Sequence, residues 1–67
     1  MHILKKYRIN NGLTRKEVSN NTGITEHYIF MIEKGKIPSL KVIKKLSDYM
    51  GMSMEELRSK LEETKGA

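Results

Sequence analysis

Residues 13–35 read Leu13-Thr14-Arg15-Lys16-Glu17-Val18-Ser19-Asn20-Asn21-Thr22-Gly23-Ile24-Thr25-Glu26-His27-Tyr28-Ile29-Phe30-Met31-Ile32-Glu33-Lys34-Gly35, and this stretch decides the fold. It holds two short helical patterns, each opened by a Thr and hinged at Gly23. Val18, Ile24, Ile29 and Ile32 are spaced so that both helices bury one face against the same core. At Gly23 the chain needs a left-handed backbone, a conformation cheap only for glycine. Two helices joined by such a tight turn cross steeply and leave one face of the second helix outside.

Outward from this stretch, further helices are bracketed by their stops. The first spans about Ile3 to Asn10, with Ile3, Leu4 and Tyr7 inward and Gly12 closing it. The second opens at Thr14, with Glu17 three residues on, which is the spacing of a capping box. It ends near Asn21. The third opens at Thr25 and runs to about Lys34, stopped by Gly35. Ser39 caps the fourth, where Leu40, Ile43, Leu46, Tyr49 and Met50 recur at helical spacing until Gly51. Ser53 caps the fifth, with Glu56 giving a second box, and Met54, Leu57 and Leu61 share one face. The expected class is all-α, a compact five-helix bundle over residues 1–61, followed by a polar tail, 62–67, that frays. No strand-like alternation, repeat or linker interrupts it.

Sixty-seven residues make one domain, near the lower limit for folding on a single core. With no cysteine, neither disulfides nor thiolate zinc ligands can staple it, and two isolated histidines, His2 and His27, do not suggest a metal. No metal or cofactor is expected. No apolar run approaches the roughly 20 residues of a membrane span. Met1-His2-Ile3-Leu4 runs straight into Lys5-Lys6-Tyr7-Arg8, unlike a secretory leader, so a bacterial cytoplasm or nucleoid is the expected location.

Charge is unevenly spread. Residues 1–46 hold ten Lys/Arg against three Glu, a net +7, whereas residues 47–67 hold three against five Asp/Glu, a net −2. Solvated helix faces would give such numbers. So would a polyanion partner, with the basic part facing phosphates and the acidic end turned away.

From Arg8 through Leu40 the chain resembles the Cro/phage-repressor, or lambda-repressor-like, helix-turn-helix family. The motifs that carry the likeness are Arg8, Gly12-Leu13-Thr14, Gly23-Ile24, Ile32-Glu33-Lys34-Gly35 and Pro38-Ser39-Leu40, in that order, within a match over about residues 2–58. The resemblance implies sequence-specific binding of duplex DNA, commonly as a dimer on a palindromic operator, and a pair between Arg8 and Glu33. Both charges adjoin apolar positions, Tyr7 and Ile32, so each needs a partner on burial; the pair is read as structural. Members of the family usually carry Gln where this chain has Arg15, and a small Ala where it has Ser19. Arginine can take over the phosphate contact that the resemblance assigns to that Gln.

Removing the core positions Ile24, Ile29 and Ile32 leaves Thr25, Glu26, His27, Tyr28, Phe30, Met31 and Lys34 for the outer surface of the third helix. The resemblance implies that Thr25, Glu26, His27, Phe30 and Met31 are its base-reading face. Phe30 and Met31 stand where relatives are usually polar or basic. Phosphate contacts are expected from Arg15, Lys16, Tyr28, Lys34, Lys36 and Lys41, with Tyr28 lying along the side against the loop before the fourth helix. Lys5 and Lys6 are candidates at the other end, and Lys44 and Lys45 fit either phosphate contact or plain surface. Met50, Met54 and Leu57 are expected to finish the core, leaving Met52 and Leu61 as a homodimer interface.

No enzyme is expected. Glu26 and His27 point about 100° apart on a helix and cannot converge on one atom. The serines have no companion His and Asp, Gly35-Lys36 is a helix stop rather than a phosphate loop, and the chain is too short for a large enclosed pocket. Two readings stand. One is a DNA-binding regulator, a repressor, from a phage, mobile element, toxin–antitoxin or restriction locus. The other is a helix-turn-helix domain whose Phe30–Met31 surface binds protein, as an antagonist, adaptor or co-regulator.

Overall fold

Among the described residues five helices form: α1 Ile3–Asn10, α2 Arg15–Thr22, α3 Glu26–Glu33, α4 Leu40–Met50 and α5 Met54–Thr64. The computed structural model describes residues 2–64, with side chains through Glu62. Residues 62–64 of the expected tail continue α5 as helical backbone, and residues 65–67 lie outside the described residues.

Each helix begins where a side chain accepts an otherwise orphaned amide. Thr14 closes the full capping box: its hydroxyl accepts from the Glu17 amide at 3.1 Å, and the Thr14 amide donates to Glu17 Oε1 at 2.9 Å. Thr25 and Ser39 accept from the amides of Tyr28 and Val42. Of the box read at Ser53, the structure gives the hydroxyl half, 3.0 Å from the Glu56 amide. His2 does the same for α1, its Nδ1 accepting from the Leu4 amide at 3.1 Å. Gly23 ends α2 with φ of 79°, and its amide returns to the Ser19 carbonyl, so the turn into α3 needs the backbone that the sequence reserves for glycine.

Leu4, Val18, Ile24, Ile29, Ile32, Ile43, Leu46, Leu57 and Leu61 form one buried cluster drawn from every helix. α2 packs on α3 and α4, α1 on α3 and α5, and α4 on α5. Tyr7 and Tyr49 meet edge to face, with ring centroids 5.8 Å apart, and the Asn21 amide donates to the Tyr49 hydroxyl at 3.0 Å. These contacts tie α1 and α2 to α4.

The apolar series on α4 and α5 divides differently from its periodicity. Leu61, expected to be left for a partner, is 2% exposed, while Met54, expected inside, is 36% exposed. Leu40, the first of its series, is 62% exposed. The reason lies in coverage. α5 is covered by both α1 and α4, and Leu57 and Leu61, four residues apart, share the stripe between them. Met54 and Leu40 open their helices and instead line a groove with Ile43, Glu55 and Arg58.

Candidate nucleic-acid interface

The packing of α2 on α3 leaves Thr25, Glu26, His27, Phe30, Met31 and Lys34 exposed along α3, while Ile29 and Ile32 are fully buried beneath. All five expected base readers therefore share one outer surface. Thr25 is committed in part, because its hydroxyl caps the helix. Phe30 and Met31 are 36% and 37% exposed, so neither completes the core.

Phe30 does not stand alone. The Arg15 guanidinium lies 5.2 Å from its ring centroid and Lys34 Nζ 5.4 Å, both within reach of a cation–π attraction. The sequence reading missed this grouping. The signals were Lys34 four residues after Phe30 on one helix, and an arginine where the family usually has glutamine.

Arg15 also has a partner within the chain. Its Nη2 lies 3.1 Å from Glu33 Oε1, and its Nε donates to the same oxygen at 3.2 Å. Arg8 takes the rest of that carboxylate, Nε to Oε2 at 3.0 Å and Nη2 to Oε1 at 3.3 Å, and sends Nη1 to the Leu13 carbonyl at 3.1 Å. Glu33 is 3% exposed and Arg8 13%, against 37% for Arg15. A carboxylate this deep needs its lone pairs filled, and a second guanidinium fills them better than water can. In the structure Arg15 thus pairs with Glu33 while part of its side chain stays exposed beside Phe30.

The other expected phosphate contacts remain outside. Lys16, Lys34, Lys36 and Lys41 are exposed, as are Lys5, Lys6, Lys44 and Lys45. Tyr28 accepts the Ser39 amide on its hydroxyl at 3.2 Å, keeping its own proton for donation, and Lys36 Nζ lies 5.5 Å from its ring centroid. Lys16 and Lys41 occupy the first turns of α2 and α4, where the helix dipole favours anions and disfavours cations. Two lysines set against the dipole are a local cost that an anion seated there would reverse.

His2 stands at the charged end of the fold. Burial lowers its pKa below the ordinary 6.5, and the Glu33 charge opposes that shift. Among the described residues no three His, Cys, Asp or Glu side chains gather as metal ligands. No helix among them is long and apolar enough to cross a membrane.

The helix-turn-helix family profile matches residues 4–57, from α1 into α5. The chain belongs to the helix-turn-helix family. Among the curated relatives of this helix-turn-helix chain, an uncharacterized HTH-type transcriptional regulator of Methanocaldococcus jannaschii is 36% identical over 55 residues, covering 81% of this chain and 83% of the relative. A glutamine–fructose-6-phosphate aminotransferase (isomerizing) of the same organism is 43% identical over 56 residues, again 81% of this chain but only 5% of that protein. The second likeness is confined to a small segment of a much longer chain. No solved structure gives a significant match.

Proposed function

We propose that this chain is a sequence-specific regulator of transcription that binds duplex DNA and represses, with α3 laid in the major groove. The observation that carries the reading is the exposed face of α3, in a chain that also exposes Lys16, Lys34, Lys36 and Lys41, two of them set against a helix dipole. The family membership and the regulator among its relatives support it. Thr25 and Glu26 open α3 and reach deepest. Glu26 accepts from the amino group of a cytosine, His27 follows, and Phe30 and Met31 offer apolar surface to base methyl groups in the groove, such as that of thymine. Arg8 and Glu33 hold the end of α3 and read nothing.

The test is a gel shift with mixed genomic fragments over a salt series. Four lysine contacts per chain give a slope of log K on log salt of about −3.5 for each chain bound. A slope near −4.5 would mean that Arg15 leaves Glu33 for a phosphate, and a slope near zero removes the reading.

Binding to a palindrome calls for a two-fold homodimer. With Leu61 buried, the interface falls to Met52, which is half-buried, and to the groove of Leu40 and Met54, whose rim carries Glu55 and Arg58. One charge of each sign is self-complementary about a two-fold axis. Sedimentation as a monomer, both free at high concentration and on DNA, rejects the dimer. The exposure of Phe30 and Met31 favours one second reading, a surface that takes a protein antagonist or co-regulator. It holds if Phe30→Ala and Met31→Ala leave DNA binding intact but destroy capture of a protein partner.

A further inference from the structure

We infer that α3 reads a cytosine methylated at C5, through Glu26 and Phe30 acting on the same base. The inference rests on α3 lying in the major groove and names what it recognises there. Glu26 and Phe30 are four residues apart on α3, so they stand one above the other on a single face, about 5–6 Å between Cβ atoms, and both are exposed. One is an acceptor that cannot donate; the other is purely apolar.

The major-groove edge of a pyrimidine carries its two distinguishing groups at neighbouring positions. Cytosine offers an amino donor at C4 and only hydrogen at C5, while thymine offers a C5 methyl beside a carbonyl acceptor. Glu26 attracts the first base and is repelled by the carbonyl of the second; Phe30 gains from the methyl that cytosine lacks. 5-Methylcytosine carries both the amino donor and the methyl. It satisfies the pair where neither ordinary pyrimidine does.

The surroundings suit this work. Arg15 and Lys34, at 5.2 and 5.4 Å from the Phe30 ring centroid, limit how that ring can move. Their charge also offsets the repulsion between the Glu26 carboxylate and the phosphates, so the acidic residue can discriminate without driving the chain off DNA. Binding then tracks the methylation state of the site.

Duplexes are selected from two random pools, one with every cytosine methylated at C5 and one unmodified, and each cytosine of a recovered site is then exchanged in competition gel shifts. One cytosine per half-site should bind about fourfold tighter when methylated, the value of burying one methyl group. Phe30→Ala should bring that ratio to one, and Phe30→Leu should keep most of it. Glu26→Gln should keep the methyl gain but lose the preference for 5-methylcytosine over thymine, because an amide can also donate to the thymine carbonyl. Methylation that leaves affinity unchanged or weakens it at every cytosine overturns the inference while DNA binding stands. Failure to recover a duplex from either pool takes down both. The exchange of bases is made on the intact chain, so it stands whether or not a variant folds.

Discussion

The last turn of α3 and the groove between α4 and α5 invert the usual arrangement of a small domain. The first buries charge: Glu33, with Arg8 and Arg15 converging on its two oxygens. The second exposes hydrocarbon: Leu40 and Met54, on the rim of a channel floored by Ile43. Each departs from what burial alone prefers, and each is tolerable for a different reason. The charged end is closed, since every oxygen of the carboxylate has a guanidinium partner within this chain. The apolar groove is open among the described residues. Closed features govern whether the domain folds; open ones govern what it meets.

The steepest way to break this contrast is through Glu33. Removing the carboxylate strands Arg8 at 13% exposure, so Glu33→Ala should cost on the order of 3–5 kcal/mol, close to all the stability of a domain this small. Arg8→Ala leaves Glu33 with Arg15 and should cost about 2–4 kcal/mol. Arg15→Ala, at a more exposed site, should cost under about 1 kcal/mol. Thermal melts that ranked Arg15 above Arg8 would put the burden of the pair in the wrong place. The double replacement of Arg8 and Glu33 should cost less than the sum of the singles.

Next comes the pair that exchanged places on α5. Leu61→Ala should lose about 2–4 kcal/mol by opening a cavity. Met54→Ala should lose about 1 kcal/mol or less in the isolated chain, yet weaken self-association measured by sedimentation. Equal losses from the two would mean that the groove is covered from within.

A smaller effect sits on the rim. Lys36→Ala should weaken binding to all duplexes alike and reduce the salt slope by about one, with melting unchanged. A change in sequence preference would make Lys36 a reader rather than an anchor.

Smallest is the response to acid, and it belongs to the charged end. His2 must be neutral for Nδ1 to accept the Leu4 amide, and burial holds its folded pKa below 6.5. The unfolded chain therefore binds the proton more readily. The contribution is complete above the unfolded value and is lost as pH falls through the folded one. Melting temperatures should decline below about pH 6.5, and His2→Asn, which keeps a capping acceptor without a titrating ring, should flatten that part of the curve. A decline identical in both chains would assign it to other groups.

The helices were legible because their signals are local. Thr14 with Glu17, Ser39 and Gly23 each act within one turn, and the apolar spacing of Val18, Ile24, Ile29 and Ile32 points to one core. The outer face of α3 followed by subtraction. What sequence could not place were features set by distance in space and not along the chain. Arg15 and Glu33 stand eighteen residues apart, and nothing local says that one carboxylate will hold two arginines. Leu61 and Met54 lie on the same stripe of α5, yet the first is buried and the second exposed. Periodicity gives a face; coverage decides how far along the face the core extends.

Tyr28 has a consequence for the loop between α3 and α4. Its hydroxyl holds the amide of Ser39, and its ring lies under the Lys36 ammonium. The strand of chain from Lys34 to Ser39 is thereby pinned at its middle and its far end by a single side chain of the helix beside it. If Lys36 meets a phosphate as proposed, a lysine already resting on the Tyr28 ring surrenders little freedom in doing so, and part of the ordering cost of association is met during folding. Tyr28→Phe would keep the ring beneath Lys36 but release the Ser39 amide. The loop would then lose affinity through entropy alone, leaving the number of phosphates contacted, and hence the salt slope, untouched.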